Sequence, residues 1–312
     1  MKTIVIAIGG NALNAPGENP SAEVMKKNLK GTVKHLADLI DEGYDLVITH
    51  GNGPQVGNLM VQQDHAKDVL PPYPLDVNDA MTQGSIGYLI SQTLSNELNS
   101  RGVNADIATL LTQVVVDKND PGFENPTKPV GPFYDEDIAK KLKTEKSWSM
   151  KEDAGRGFRR VVPSPKPLDI VEIDSIKKLI EADTILVAAG GGGIPVVRDS
   201  NGYLKGIEAV IDKDRASSLL AKLINAEMFM ILTAVDYAYI NFGKPDQKPL
   251  KKISIEEAEE LMSEGHFAKG SMYPKIESVV EFVKKTKKKA IITSLQKVDD
   301  AVHEKSGTIV LP

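Results

Sequence analysis

Short, nearly unbroken apolar runs alternate along the chain with longer segments in which apolar residues recur every three or four positions. The runs at 3–8, 45–49, 106–111, 184–188, 228–233 and 290–293 are rich in Val, Ile and Leu. Apolar character sustained without alternation predicts strands covered on both faces, as in a parallel sheet. Between the first two runs, Met25, Leu29, Val33, Leu36 and Ile40 fall at i, i+4, i+8, i+11 and i+15, one face of a helix. Residues 77–101 and 215–224 also read as helix. This order of strands and helices predicts an α/β fold with right-handed crossovers.

The rhythm breaks between 118 and 167, a stretch rich in Pro, Gly, Lys and Asp. A segment that long without periodicity predicts a lid or subdomain. Its Phe123, Phe133, Tyr134, Trp148 and Phe158 argue against a disordered linker, because disordered segments are poor in aromatics.

Composition narrows the function. The 312 residues are 41% apolar and 26% charged, ordinary for a globular enzyme of one large domain or two lobes. The absence of cysteine excludes disulfides, thiolate catalysis and Cys-type zinc sites. A net charge of −5 argues against nucleic acid or an anionic membrane as the main partner. An anionic ligand must then be met by a local cluster of lysines. No apolar stretch reaches membrane-spanning length and the first is too short for a signal sequence, so a cytoplasmic location is expected by default.

Several motifs stand at the ends of predicted strands, where open α/β sheets bind ligands. Ile8-Gly9-Gly10-Asn11 and His50-Gly51-Asn52-Gly53-Pro54 each put glycines and an amide directly after a strand, which lets backbone N–H groups approach an anion or simply forms a tight turn. His50 reads as a structural hydrogen-bonder. Gly190-Gly191-Gly192-Gly193 requires close approach of a ligand or of neighbouring chain, the ligand being the favoured reading. In Asp212-Lys213-Asp214 the carboxylates could cap a helix or orient the lysine. Met272-Tyr273-Pro274-Lys275 opens a helix with a cation where the dipole disfavours one, which suggests a bound phosphate. Val235-Asp236-Tyr237-Ala238-Tyr239 could edge a base slot or pack in the core. A Walker A motif is absent.

Taken in chain order, the stretches 7–12, 50–57, 125–131, 155–165, 190–195, 212–214 and 270–275 resemble carbamate kinases of the amino-acid-kinase superfamily, over the whole chain from about residue 3. The resemblance implies a three-layer α/β/α sandwich around a mostly parallel sheet and a homodimer. It implies one domain, 1–312, with an acceptor lobe at about 1–210, a nucleotide lobe at about 211–312, and a protruding subdomain at about 118–167. It implies reversible phosphoryl transfer between ATP and carbamate, run toward ATP in arginine, citrulline or related nitrogen catabolism. Gly9, Gly10, Asn11, Gly51, Asn52 and Gly53 would hold carbamate or carbamoyl phosphate. Lys128, Lys213 and Lys275 would meet the transferring group, with Asp214 as their organiser. Gly190, Gly191, Val235, Asp236, Tyr237, Tyr239, Met272, Tyr273, Pro274 and Lys275 would hold ATP or ADP. Mg²⁺ would be held by the nucleotide phosphates, with no ligand from a protein side chain. Two positions depart from relatives: Ala7 replaces the first-strand lysine of the wider superfamily, and Tyr273 replaces a glycine. Alternatives are synthesis of carbamoyl phosphate by the same chemistry, a sibling kinase acting on acetylglutamate or glutamate, and a non-catalytic nucleotide-binding regulator.

Overall fold

The computed structural model describes residues 2–14, 17–153, 155–268 and 270–312, with Asn11 described in its backbone alone. Eight strands form the main sheet: β1 Lys2–Ile8, β2 Tyr44–His50, β3 Ile107–Thr109, β4 Ile185–Val187, β5 Met228–Thr233, β6 Lys252–Ser254, β7 Ala290–Ser294 and β8 Thr308–Leu311. Their spatial order is β3-β4-β2-β1-β5-β7-β8-β6. Every neighbouring pair is parallel except β7 with β8. The helices are α1 Ala22–Asp41, α2 Gly53–Ala66, α3 Leu75–Ser100, α4 Glu136–Lys146, α5 Ile173–Glu181, α6 Lys213–Leu223, α7 Ile255–Ser263, α8 Met272–Thr286 and α9 Val298–Val302. Among the described residues, no helix is long and apolar enough to cross a membrane.

The unbroken apolar runs explain the three layers. Successive side chains of a strand point to opposite faces. In β1, Ile4, Ile6 and Ile8 join one core while Val5 and Ala7 join the other. In β5, Met228, Met230 and Leu232 separate from Phe229 and Ile231 in the same way. The first core takes Leu29, Val33 and Leu36 of α1, Ile86 and Ile90 of α3, and Val298 of α9. The second takes Ile176 of α5, Leu220 of α6, Ile255 of α7 and Phe282 of α8, whose ring lies 5.7 Å from that of Phe229. Each such fully buried large side chain contributes about 1.5–3 kcal/mol. The sheet crosses residue 210 without interruption, because β1 pairs β5 on one side and β2 on the other.

All six apolar runs are strands of this sheet. The edge strand β6, its neighbour β8 and the helix α2 escape the pattern. Strand β6 is three residues long with one buried, and α2 buries only Val56 and Gly57, so neither shows a periodic stripe.

The irregular stretch is an excursion between two paired strands. The chain leaves after Gln113–Val116 and returns at Pro167–Ile170, its antiparallel neighbour in a second, four-stranded sheet. Between them Lys128–Tyr134, Phe158–Val162 and Met150–Glu152 form a separate three-stranded antiparallel sheet with α4 beside it. Several of its aromatics work as platforms for cations: Arg160 lies 4.6 Å from the Trp148 ring centre, and Arg156 lies 4.8 Å from that of Phe133.

This subdomain is seated on α2. Val130 and Val162 share an apolar cluster with Val56, Leu75 and Val210, and Lys146 pairs with Asp64 of α2. The closest approach is backbone to backbone: a Cβ on Gly57 would stand 1.9 Å from the Gly131 Cα, and Gly131 itself has φ +74°. Replacing Gly57 by Ala should therefore unseat the strand Lys128–Tyr134. Hydrogen exchange should accelerate across that strand while β1 and β5 keep their protection; unchanged exchange at 128–134 would show that the contact does not seat the subdomain.

Candidate active site

The parallel strands β1, β2 and β5 end along one edge of the sheet, and the polar residues converge there. Strand β1 runs into Gly9 and a turn over Gly10–Ala12. A Cβ on Gly9 would lie 2.9 Å from the Leu232 carbonyl oxygen, so the glycine is required by the end of the neighbouring strand. Strand β2 runs into Gly51 and then α2, and a Cβ on Gly51 would touch the Lys213 side chain at 3.4 Å. Lys213 thus lies across the glycine loops. With Gly9, Gly10, Thr233, Ala234 and Lys275 it lines a cavity of about 360 Å³.

Three lysines from distant parts of the chain meet two neighbouring carboxylates. Asp214, 3% exposed, accepts from Lys213 Nζ at 2.5 Å through Oδ1 and from Lys275 Nζ at 2.7 Å through Oδ2. Asp212 divides its oxygens: Oδ1 caps α6 by accepting from the Asp214 and Arg215 amides, and Oδ2 accepts from Lys128 Nζ at 2.7 Å. Lys128 begins the subdomain strand, Lys213 the helix α6, and Lys275 sits in the first turn of α8. Burial alone would push the Asp214 carboxyl up, but Lys213 and Lys275 outweigh it and hold it ionised below its usual range. Burial pulls Lys213 below the ordinary lysine range against the opposing charge of Asp214, with Lys275 adding to the pull. For Lys275 burial pulls the same way, yet Asp214 and Asp212 prevail and raise it.

A second cavity, of about 200 Å³, adjoins the first at Thr233 and Lys275. Val235, Tyr239, Phe242, Phe267 and Met272 give it apolar and aromatic walls, the form of a slot for a flat base. Asp236 and Tyr237 do not line it; Tyr237 faces another cavity, of about 210 Å³, beside Lys251 and Glu304. Pro274 lines a cavity of about 450 Å³ between Lys128, Asp212 and Arg215, under the subdomain. Tyr273 packs against the core with Met272.

Gly190 and Gly191 are not in the base slot, contrary to their expected place with the nucleotide. They are buried against the β2–α2 loop: a Cβ on Gly190 would stand 2.3 Å from His50 Nε2, and one on Gly191 2.3 Å from Asn52 Nδ2. Packing against protein groups, with φ +67° at Gly191, accounts for these glycines. Asn52 is buried and hydrogen-bonded to Asp79 and Thr82, and a Cβ on Gly53 would touch the Pro129 carbonyl oxygen at 3.6 Å. The Asn11 side chain lies outside the described residues. Asp212 as a partner of Lys128, and Asp79 and Thr82 as partners of Asn52, escaped the sequence reading. Asp212 explained itself as a cap, and a polar pair on a buried helix face has no periodic signature.

The sandwich and its strand-end cleft of lysines define a kinase that moves phosphoryl groups, and the chain belongs to the amino acid kinase family, whose sequence profile matches residues 2–294. It is 52% identical to the carbamate kinase of Thermococcus kodakarensis, over 100% of this chain and 99% of that one. It is 49% identical to the carbamate kinase of Clostridium perfringens, over 99% of each. The solved structure of carbamate kinase from Giardia lamblia bound to AMP-PNP superposes with a TM-score of 0.92 at 45% identity, covering 99% of this chain and 98% of that one.

His50 underlies the cleft and is 1% exposed, with Nδ1 3.0 Å from the Gly51 carbonyl oxygen. Burial pushes its pKa down from 6.5 to about 4, so it is neutral in the fold. A group with a depressed folded pKa contributes stability that is complete above the unfolded value and is lost as pH falls toward the folded one. Between pH 7.5 and 5 the loss from His50 should be about 2 kcal/mol. Urea unfolding of the wild type and of His50→Gln at both pH values measures it. The variant should lose less stability than the wild type over that interval; equal losses would mean that His50 ionises freely in the fold.

Proposed function

We propose that this kinase transfers a phosphoryl group reversibly between ATP and carbamate, and that it makes ATP from ADP and carbamoyl phosphate. The observation that carries the reading is the convergence of Lys128, Lys213 and Lys275 on Asp212 and Asp214 beside the glycine loops. The carbamate kinase relatives, and the AMP-PNP bound in the Giardia protein, support the substrates.

Phosphoryl transfer asks a protein for alignment and neutralised charge. ADP and carbamoyl phosphate are both anions, and their approach in a partly dry cleft is opposed by Coulomb repulsion. Lys275 stands where the two cavities join and Lys213 lines the first of them, and both meet the migrating group from the nucleotide side. Lys128 comes from the subdomain, which also shields the site from water. The backbone N–H groups around Gly9, Gly10, Gly51 and Gly53 add fixed dipoles for the acceptor oxygens. The base occupies the slot between Val235, Tyr239 and Met272. Carbamate oxygen is already ionised, so no general base is required, and Asp214 spends both oxygens on lysines.

A magnesium ion carried by the nucleotide would supply further positive charge at the phosphates. All four carboxylate oxygens of Asp212 and Asp214 are taken by ammonium or amide hydrogens, which leaves the phosphates as its natural ligands. A homodimer and a cytoplasmic location complete the proposal, and sedimentation tests the first.

The deciding assay supplies purified protein with ADP, carbamoyl phosphate and Mg²⁺ and reads ATP; ATP should form. In the reverse direction carbamate should support ADP release, while acetylglutamate and glutamate should not. Nucleotide binding without any transfer would leave a regulator instead. Lys128→Ala should lower kcat by about 100-fold or more with ADP affinity within about threefold, since the residue belongs to the subdomain. Equal loss of ADP affinity would place it with the nucleotide.

Asp214→Asn carries a pH signature. Lys213 must be cationic, so activity falls as pH rises through its pKa. Removing Asp214 removes the charge that opposes burial, so the pKa drops further. The alkaline limb of the kcat profile should move to lower pH; an unmoved limb would show that Asp214 does not hold the Lys213 proton.

A further inference from the structure

An asparagine that opens a helix ordinarily caps it, its side-chain oxygen accepting from the second or third amide. Asn52 stands at the cap position of α2 and makes no such bond. Its carboxamide is turned inward, with Nδ2 3.0 Å from Asp79 Oδ1 and 2.9 Å from Thr82 Oγ1. The Thr82 hydroxyl donates to the Asp79 carbonyl oxygen at 2.8 Å, which leaves its lone pairs for Asn52. Gly191 lies against the other side of the carboxamide. Among the described residues Asn52 therefore gives the first turn of α2 no side-chain cap, and Pro54 there has no N–H.

We propose that Asp79 and Thr82 are positioning residues for the acceptor site: they hold Asn52 off the first turn of α2 and keep its N–H groups open to substrate oxygens. The inference rests on the acceptor assignment made under Proposed function. Three observations support it. Asp79 and Thr82 are 1% and 2% exposed and lie one turn apart on α3, so their geometry is fixed by packing. Asp79 Oδ2 is buried without a partner, and burial pushes the carboxyl well above its usual range, toward the neutral acid. A half-satisfied buried carboxyl is inferior to a packed leucine for stability alone, so its presence points to orientation. Gln83, on the next position of the same helix, fixes the opposite wall: it bonds the Thr112 backbone at 2.9 and 3.1 Å, and Thr112 Oγ1 accepts from the Ala189 amide at 2.9 Å, just before the glycine turn.

The test is steady-state kinetics of ATP formation by Thr82→Val, Asp79→Ala and Asp79→Asn, with thermal melting of each. Each of Thr82→Val and Asp79→Ala removes one of the two hydrogen bonds that hold the Asn52 carboxamide and lets it swing back toward the first turn of its own helix. The KM for carbamoyl phosphate should then rise roughly tenfold, while the KM for ADP stays within about twofold. Asp79→Asn keeps a neutral hydrogen-bonding group of the same shape and should restore the KM to within about threefold of the wild type. An unchanged KM for carbamoyl phosphate in Thr82→Val overturns the proposal, as does an Asp79→Asn enzyme as impaired as Asp79→Ala. If Asp79→Ala does not fold, Thr82→Val decides, because it removes one hydroxyl and keeps the volume. Calorimetric titration with inorganic phosphate separates this inference from the substrate assignment. Weaker phosphate binding by Thr82→Val supports the positioning role even if wild-type protein makes no ATP from carbamoyl phosphate, and equal binding overturns it.

Discussion

The site depends on one buried carboxylate. Asp214 lies between two ammonium groups from the starts of α6 and α8, and gives one oxygen to each. Without it, Lys213 and Lys275 would face each other across a poorly hydrated cleft and repel. With it, each ammonium has a carboxylate oxygen within hydrogen-bond reach, and both line the cavity. The desolvation cost of such a cluster is several kcal/mol per ion, and a packed apolar trio would be as stable or more so. The arrangement suits the proposed function, in which phosphate oxygens bring the remaining negative charge.

Asp212 extends the same logic to the subdomain. Its Oδ1 caps α6, which fixes the frame on which Lys213 and Asp214 are mounted, and its Oδ2 draws in Lys128. The subdomain therefore reaches the site through one ion pair. It is held on its other flank by the Gly57–Gly131 contact and the Val56, Val130 and Val162 cluster.

The sheet was legible because its strands are buried on both faces: Ile4 to Ile8 and Met228 to Leu232 leave no room for another reading. Lys213 and Lys275 were legible because the first stands between paired carboxylates and the second where helix physics disfavours a cation, whereas Lys128 opens a strand and was singled out only by the family resemblance. The glycines misled. Gly190 and Gly191 look like a ligand loop, yet their absent side chains make room for His50 and Asn52, and nothing local distinguishes a glycine that admits a ligand from one that admits a neighbouring residue. Asp236 and Tyr237 lie outside the slot for another reason. A chain that turns as it leaves a strand divides consecutive residues between cavities, so Val235 and Tyr239 share a wall that the residues between them do not.

The helix α3 shows how packing and chemistry are divided along one element. Its buried stripe is polar over Asn78, Asp79, Thr82 and Gln83 and apolar over Ile86, Leu89 and Ile90. The apolar half covers the sheet, as amphipathic helices do. The polar half extends past the strand ends, where it meets the Asn52 loop and the backbone of Thr112 rather than side chains of the sheet. The same line of residues therefore serves the core in one half and braces the glycine loops in the other. The change of character falls where the strands stop, and that edge is also where the lysines converge.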